Sequence, residues 1–151
     1  MWVDSHCHLD GHRFDEDRDA VIERALGAGV SRMLAIGTGD GPPDLDAGIR
    51  LAEKYPFVWA SAGVHPHDAA KWTPECGPML RERMGHPRVV ALGEIGLDYH
   101  YDFSPRDVQR RVFIEQLEIA VETRKPILIH TREAWEDTFA LLEEHWVPSG
   151  L

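Results

Sequence analysis

Residues 126–146, PILIHTREAWEDTFALLEEHW, contain one complete folding unit. Ile127–Ile129 is a short apolar, β-branched run of strand length. His130 to Glu133 is a polar turn. Trp135, Phe139, Leu142 and Trp146 then recur at intervals of four, three and four, which predicts an amphipathic helix with this stripe packed into a core. The same strand-then-helix order recurs upstream. Apolar runs at Trp2–Val3, Met33–Ile36, Val58–Val64 and Val89–Leu92 read as strands. Helical periodicity spans Asp15–Ala28 and Asp44–Tyr55, and Thr73-Pro74-Glu75 opens a third helix with proline in its first turn. Ser104-Pro105-Arg106-Asp107 opens a fourth, with Ser104 as the expected N-cap. Five such units of about 30 residues predict an α/β fold with a parallel sheet and crossover helices. Two architectures satisfy the pattern. An open doubly wound sheet would be complete at this length, whereas a (β/α)8 barrel typically needs ~250 residues.

The chain has 151 residues, 43% hydrophobic and 28% charged, the mix of one globular domain. Acids outnumber bases 26 to 16, for a net charge of −10. Binding nucleic acid by counterion release requires clustered Lys and Arg, and Arg110-Arg111 and Arg124-Lys125 are the densest basic spots here. Electrostatic packaging of nucleic acid is excluded. A phosphate-bearing substrate is not, provided that bound cations supply the positive charge. Two cysteines, Cys7 and Cys76, make no disulfide framework, so no disulfide-linked partner is expected. The N-terminus MWVDSHCHLD lacks the pattern of a secretory signal, and no apolar run reaches the length of a membrane span. A cytoplasmic protein without membrane contact is the expectation.

Nine histidines are the oddity of the composition. In parallel α/β folds, chemistry collects at the C-terminal ends of the strands. Four of the five predicted strands run into a residue type that binds metals: His6 and His8, then His65, Glu94 and His130. Residues two apart in a strand face the same way, so His6 and His8 can reach one ion, with Asp4 on that face. Glu94 lies among Gly93 and Gly96, which permit close backbone approach, and its two oxygens can serve two cations. His65 and Arg132 are candidates to hold a substrate phosphate. Asp98 and His100 line the mouth at most, and Cys7, alternating away from His6 and His8, reads as packing.

MWVDSHCHLD, GVHPHDA, ALGEIGLDYH and PILIHTREAWEDT, in that order, resemble the TatD family of metal-dependent hydrolases from Met1 to about Val147. The resemblance implies a (β/α)8 barrel and a metal-dependent phosphoesterase, often a deoxyribonuclease, acting on DNA or another phosphoester. It implies two divalent ions (Mg, Mn or Zn), with His6, His8, Glu94 and His130 as ligands. Glu94 would be the bridging carboxylate and the catalytic residue. The family's two further ligands, a His and an Asp, fall beyond the fifth unit and have no counterpart in these 151 residues. Residues 1–151 are therefore expected to form the N-terminal part of one such domain, a partial barrel of about five βα units with little activity alone. An amidohydrolase acting on C–N or C–O bonds would favour a carbamylated lysine on a central strand, and no Lys ends a predicted strand. A non-catalytic remnant of a metal hydrolase is the other alternative.

Overall fold

Five parallel strands lie side by side in chain order: β1 (Trp2–Cys7), β2 (Val30–Ala35), β3 (Val58–Ala62), β4 (Val89–Asp98) and β5 (Ile127–Arg132). The connecting helices are α1 (Arg18–Gly27), α2 (Ala47–Lys54), α3 (Cys76–Met84) and α4 (Arg106–Thr123), with α5 (Trp135–His145) following β5. The computed structural model describes residues 1–151. This strand order decides between the two architectures. A doubly wound sheet reverses direction at a switch point and carries helices on both faces. An unbroken 1-2-3-4-5 order with right-handed crossovers stacks every helix on the same face and curls the sheet as a barrel does. The chain is a half-barrel whose edges, β1 and β5, are each paired on one side only.

The core lies between the sheet and the helical layer. Val58, Ala60, Leu92, Ile95 and Leu97 are buried from the strands, and Leu80, Val112, Phe113, Leu117 and Ala120 from α3 and α4. Each fully buried Val, Leu, Ile or Phe contributes about 1.5–3 kcal/mol, and α4 supplies Val112, Phe113, Leu117 and Ile119, so it is the principal strut behind β4.

Three local expectations need correction. β4 continues through Gly93–Asp98 instead of stopping at Leu92, so Glu94 sits within a strand and not in a loop. Ser104 does not cap α4. The cap position is Pro105, and the buried Ser104 hydroxyl instead accepts from the Ala70 amide at 2.9 Å and donates to the His67 carbonyl at 2.8 Å. The α5 stripe is only partly core. Leu142 and Trp146 pack against it, but Trp135 and Phe139 are 59% and 56% exposed and stack on each other. Helix α5 follows an edge strand, and its buried residues are Thr138 and Leu141.

Candidate metal centre

Two strands build the first half of the site. β1 brings His6, and His8 follows immediately after its end. Their Nε2 atoms lie 3.2 Å apart, and Glu94 Oε2 on β4 lies 3.7 and 3.8 Å from them. Metal–nitrogen and metal–oxygen bonds are about 2.0–2.2 Å, so two atoms on one ion lie no more than ~4.3 Å apart. All three separations satisfy that limit. A pair of imidazoles and a carboxylate is also a donor set suited to Zn or another divalent ion, so these residues fit the metal that the family resemblance implies.

The other half turns on β5. Glu94 Oε1 points away from His6 and His8 and lies 3.4 Å from His130 Nδ1. One carboxylate therefore faces an imidazole pair with one oxygen and a third imidazole with the other. Glycine makes this approach possible. A Cβ on Gly93 would lie 2.6 Å from Leu128 Cβ, and one on Gly96 would lie 2.0 Å from the His130 carbonyl oxygen. Any side chain there would push β5, and His130 with it, away from β4.

Hydrogen bonds set the protonation of the neutral imidazoles one after another. His65 Nδ1 accepts the His67 backbone N–H at 3.2 Å, so the ring proton is on Nε2. His65 Nε2 then donates to His130 Nδ1 at 3.1 Å. The His130 proton is accordingly on Nε2, which donates to Asp98 Oδ2 at 3.0 Å. His67 Nε2 donates to the same oxygen at 2.8 Å. Asp98 is fully buried, and its Oδ1 accepts the His100 and Tyr101 amides, each at 3.0 Å. A carboxylate that orients a histidine in this way leaves the lone pair of its other nitrogen for a ligand role; here the His65 Nε2–H points at that lone pair. His65, His67 and His130 are also close enough for one ion, but the Nε2 protons of His65 and His67 are already committed in this network.

Titration follows the same geometry. Burial, and then the neighbouring His130, push the His65 imidazole down to about 3. Burial opposes the charge on Glu94, yet the adjacent His130 and the surrounding imidazoles hold it below the usual carboxylate range. Burial would likewise depress His130, but Glu94 and Asp98 outweigh it and raise the imidazole.

Of the residues singled out in the sequence, His6, His8, Glu94 and His130 converge, with His65 against His130. Arg132 stands apart from them. It is exposed, has no carboxylate within ion-pair distance, and lies over the Tyr101 ring at 4.6 Å. The sequence reading undervalued Asp98, although the signal was present: Glu94, Gly96 and Asp98 alternate onto one face of a strand. It missed two buried amides on α4, seven residues apart. Gln109 bonds the Asp98 amide and carbonyl, and Gln116 bonds the Val64 amide and carbonyl, so the helix clamps the strand ends that carry Asp98 and His65.

Comparison with known proteins adds the following. The model of the TatD related DNase family matches residues 3–150. The chain is 41% identical over 144 residues to an uncharacterized metal-dependent hydrolase, YabD, of Bacillus subtilis, covering 95% of this chain and 56% of that protein. It is 40% identical over 146 residues to the 3'-5' ssDNA/RNA exonuclease TatD of Salmonella typhimurium, covering 97% and 55%. The crystal structure of the TatD homologue YjjV from Escherichia coli superposes with a TM-score of 0.85 at 30% identity, covering 97% of this chain and 57% of that one. A TatD family hydrolase from Entamoeba histolytica gives 0.82 at 25% identity, covering 95% and 54%. The chain thus spans little more than half the length of the relatives it matches.

Proposed function

The chain belongs to the TatD related DNase family, and from that premise we propose that it carries half of a two-metal phosphoesterase centre acting on single-stranded nucleic acid. The observation that carries this reading is Glu94, whose two oxygens face His6 and His8 on one side and His130 on the other. His6 and His8 would hold one divalent ion with Glu94, and His130 Nδ1 the second. Bound ions supply Lewis acidity and a nucleophilic water at neutral pH. The chain's own residues do the rest. Glu94 fixes the spacing of the two positions, and Asp98 holds His130 in the tautomer that presents Nδ1. His65, kept neutral by burial, gives its Nε2–H to His130 Nδ1 in this structure and would turn it to a phosphoryl oxygen once an ion took that lone pair, and the unpaired Arg132 guanidinium contributes a cation at the rim.

The substrate class rests on the relatives' activity as ssDNA/RNA exonucleases. A C–N hydrolase gains nothing from the fold, since no lysine joins the cluster and Lys125 is tied to the Val89 carbonyl. No helix is long and apolar enough to cross a membrane. Two unpaired cysteines suit a reducing compartment, and we place the protein in the cytoplasm.

The test is release of nucleotides from single-stranded DNA with Mg, Mn or Zn against a chelator control. It compares the 151-residue chain with a chimera joining it to the second half of the Bacillus relative. The chimera should cleave in a metal-dependent way, and Glu94→Ala should abolish cleavage. The short chain should show negligible turnover. A folded chimera that releases no nucleotide with any of the three metals would refute the reading.

A further inference from the structure

Tyr101 and Phe103 follow β4 at the rim of the metal centre, 46% and 64% exposed. Neither packs against the core. Their rings are parallel within 5° at 5.3 Å, an offset stack already formed on the surface. Phe103 lies edge-on to His67 at 4.9 Å, and His67 shares the Asp98 carboxylate with His130. The guanidinium of Arg132 covers Tyr101 at 4.6 Å with no acid to neutralise it.

We propose that Tyr101 and Phe103 form a nucleobase-stacking subsite that seats a base of single-stranded nucleic acid beside the metal centre, with Arg132 contacting the adjoining phosphate. The inference rests on the nucleic-acid reading above and goes further by saying how such a substrate is gripped. With a net charge of −10, the chain cannot track a phosphate backbone by charge alone. Affinity must come from a few local contacts, and aromatic faces supply them without regard to sequence because every base has a π-face. A preformed parallel stack loses little side-chain entropy when a base joins it.

The test measures fluorescence anisotropy of a short oligothymidylate and of an abasic oligomer of equal length, both in chelator so that no cleavage intervenes. The wild-type chain should prefer the oligothymidylate. Combined Tyr101→Ala and Phe103→Ala should weaken it by about 5- to 150-fold and erase the preference over the abasic oligomer. Phe103→Trp should keep the preference and Phe103→Leu should lose it, which separates stacking from mere apolarity. Equal wild-type affinity for both oligomers would overturn the subsite alone. Binding of neither would overturn the subsite, while the nucleic-acid reading itself stands or falls on the metal-dependent cleavage test above. Self-association that the double alanine variant abolishes would assign the pair to a contact between copies and overturn the subsite as well.

Discussion

Asp98→Asn should damage the metal centre without touching any proposed ligand. The carboxylate accepts four hydrogen bonds, two from backbone amides on Oδ1 and two from imidazoles on Oδ2. Asparagine keeps an oxygen for the amides but turns an NH2 group toward His67 and His130, both of which present N–H. Hydrogen bonds to a charged group contribute about 1.5–3 kcal/mol each, so losing two costs about 3–6 kcal/mol of stability at neutral pH. To escape the donor–donor clash, His130 must move its proton to Nδ1, the atom that faces Glu94. Loss of an outer carboxylate lowers metal affinity about 10–100-fold, and a switched tautomer places the effect at the upper end. Urea unfolding measures the stability loss, and zinc competition against a chromophoric chelator measures the affinity. Nitrogen-15 NMR of the imidazoles reads the tautomer directly, a signal that general loosening would not invert. Wild-type zinc affinity with the His130 proton still on Nε2 would refute the reasoning.

Three other outcomes follow from the same geometry. His65 is held neutral down to about 3, while in the unfolded chain it takes up a proton near 6.5. The unfolded state therefore binds more protons in that window, and metal-free stability should rise with pH from about 3 to 6.5. His130 shifts upward and opposes this only above that window. A wild-type chain whose urea midpoint changes between pH 5 and 6 no more than that of His65→Gln would contradict the assignment. Gly96→Ala should cost more than about 3 kcal/mol, because its φ of +142° is strained for alanine and its Cβ would meet the His130 carbonyl at 2.0 Å; a near-normal urea midpoint would show that β5 can move aside. The open edges of β1 and β5, with Trp2 and Val3 exposed on β1, should make the isolated chain associate with concentration, and a sharp monomer by sedimentation with cooperative melting would count against it.

The fold was legible because each unit carried both periods in plain view: a β-branched run such as Ile127–Ile129, then a helical stripe. What periodicity could not convey was closure. The choice between an open sheet and a curled one depends on strand order, a long-range property to which no single unit testifies, and only the motif resemblance separated the two in advance. Trp135 and Phe139 show the same limit, since their spacing states that they share a helix face but not whether anything lies opposite. At the site, His6, His8, Glu94 and His130 could be named because histidine and glutamate at strand ends are conspicuous. Asp98 reads only as a mouth residue when β4 is ended at Leu92; a strand carried through GEIGLD places it on the Glu94 face. Gln109 and Gln116 carry no local signal at all, since their buried amide clamps depend on contacts across 11 and 52 positions of chain. Ser104 matched a capping pattern so well that its actual partners, in the loop carrying His67, were invisible to local reasoning.

On our proposal Glu94 stands between two cation positions, one made with His6 and His8 and the other with His130. The most direct test is a crystal of this chain soaked in a zinc salt, with anomalous difference density measured at the zinc edge. A peak is expected about 2.0–2.2 Å from His6 Nε2, His8 Nε2 and Glu94 Oε2, and a second within the same reach of Glu94 Oε1 and His130 Nδ1. Zinc bound by His65, His67 and His130 with His6, His8 and Glu94 left empty would contradict it.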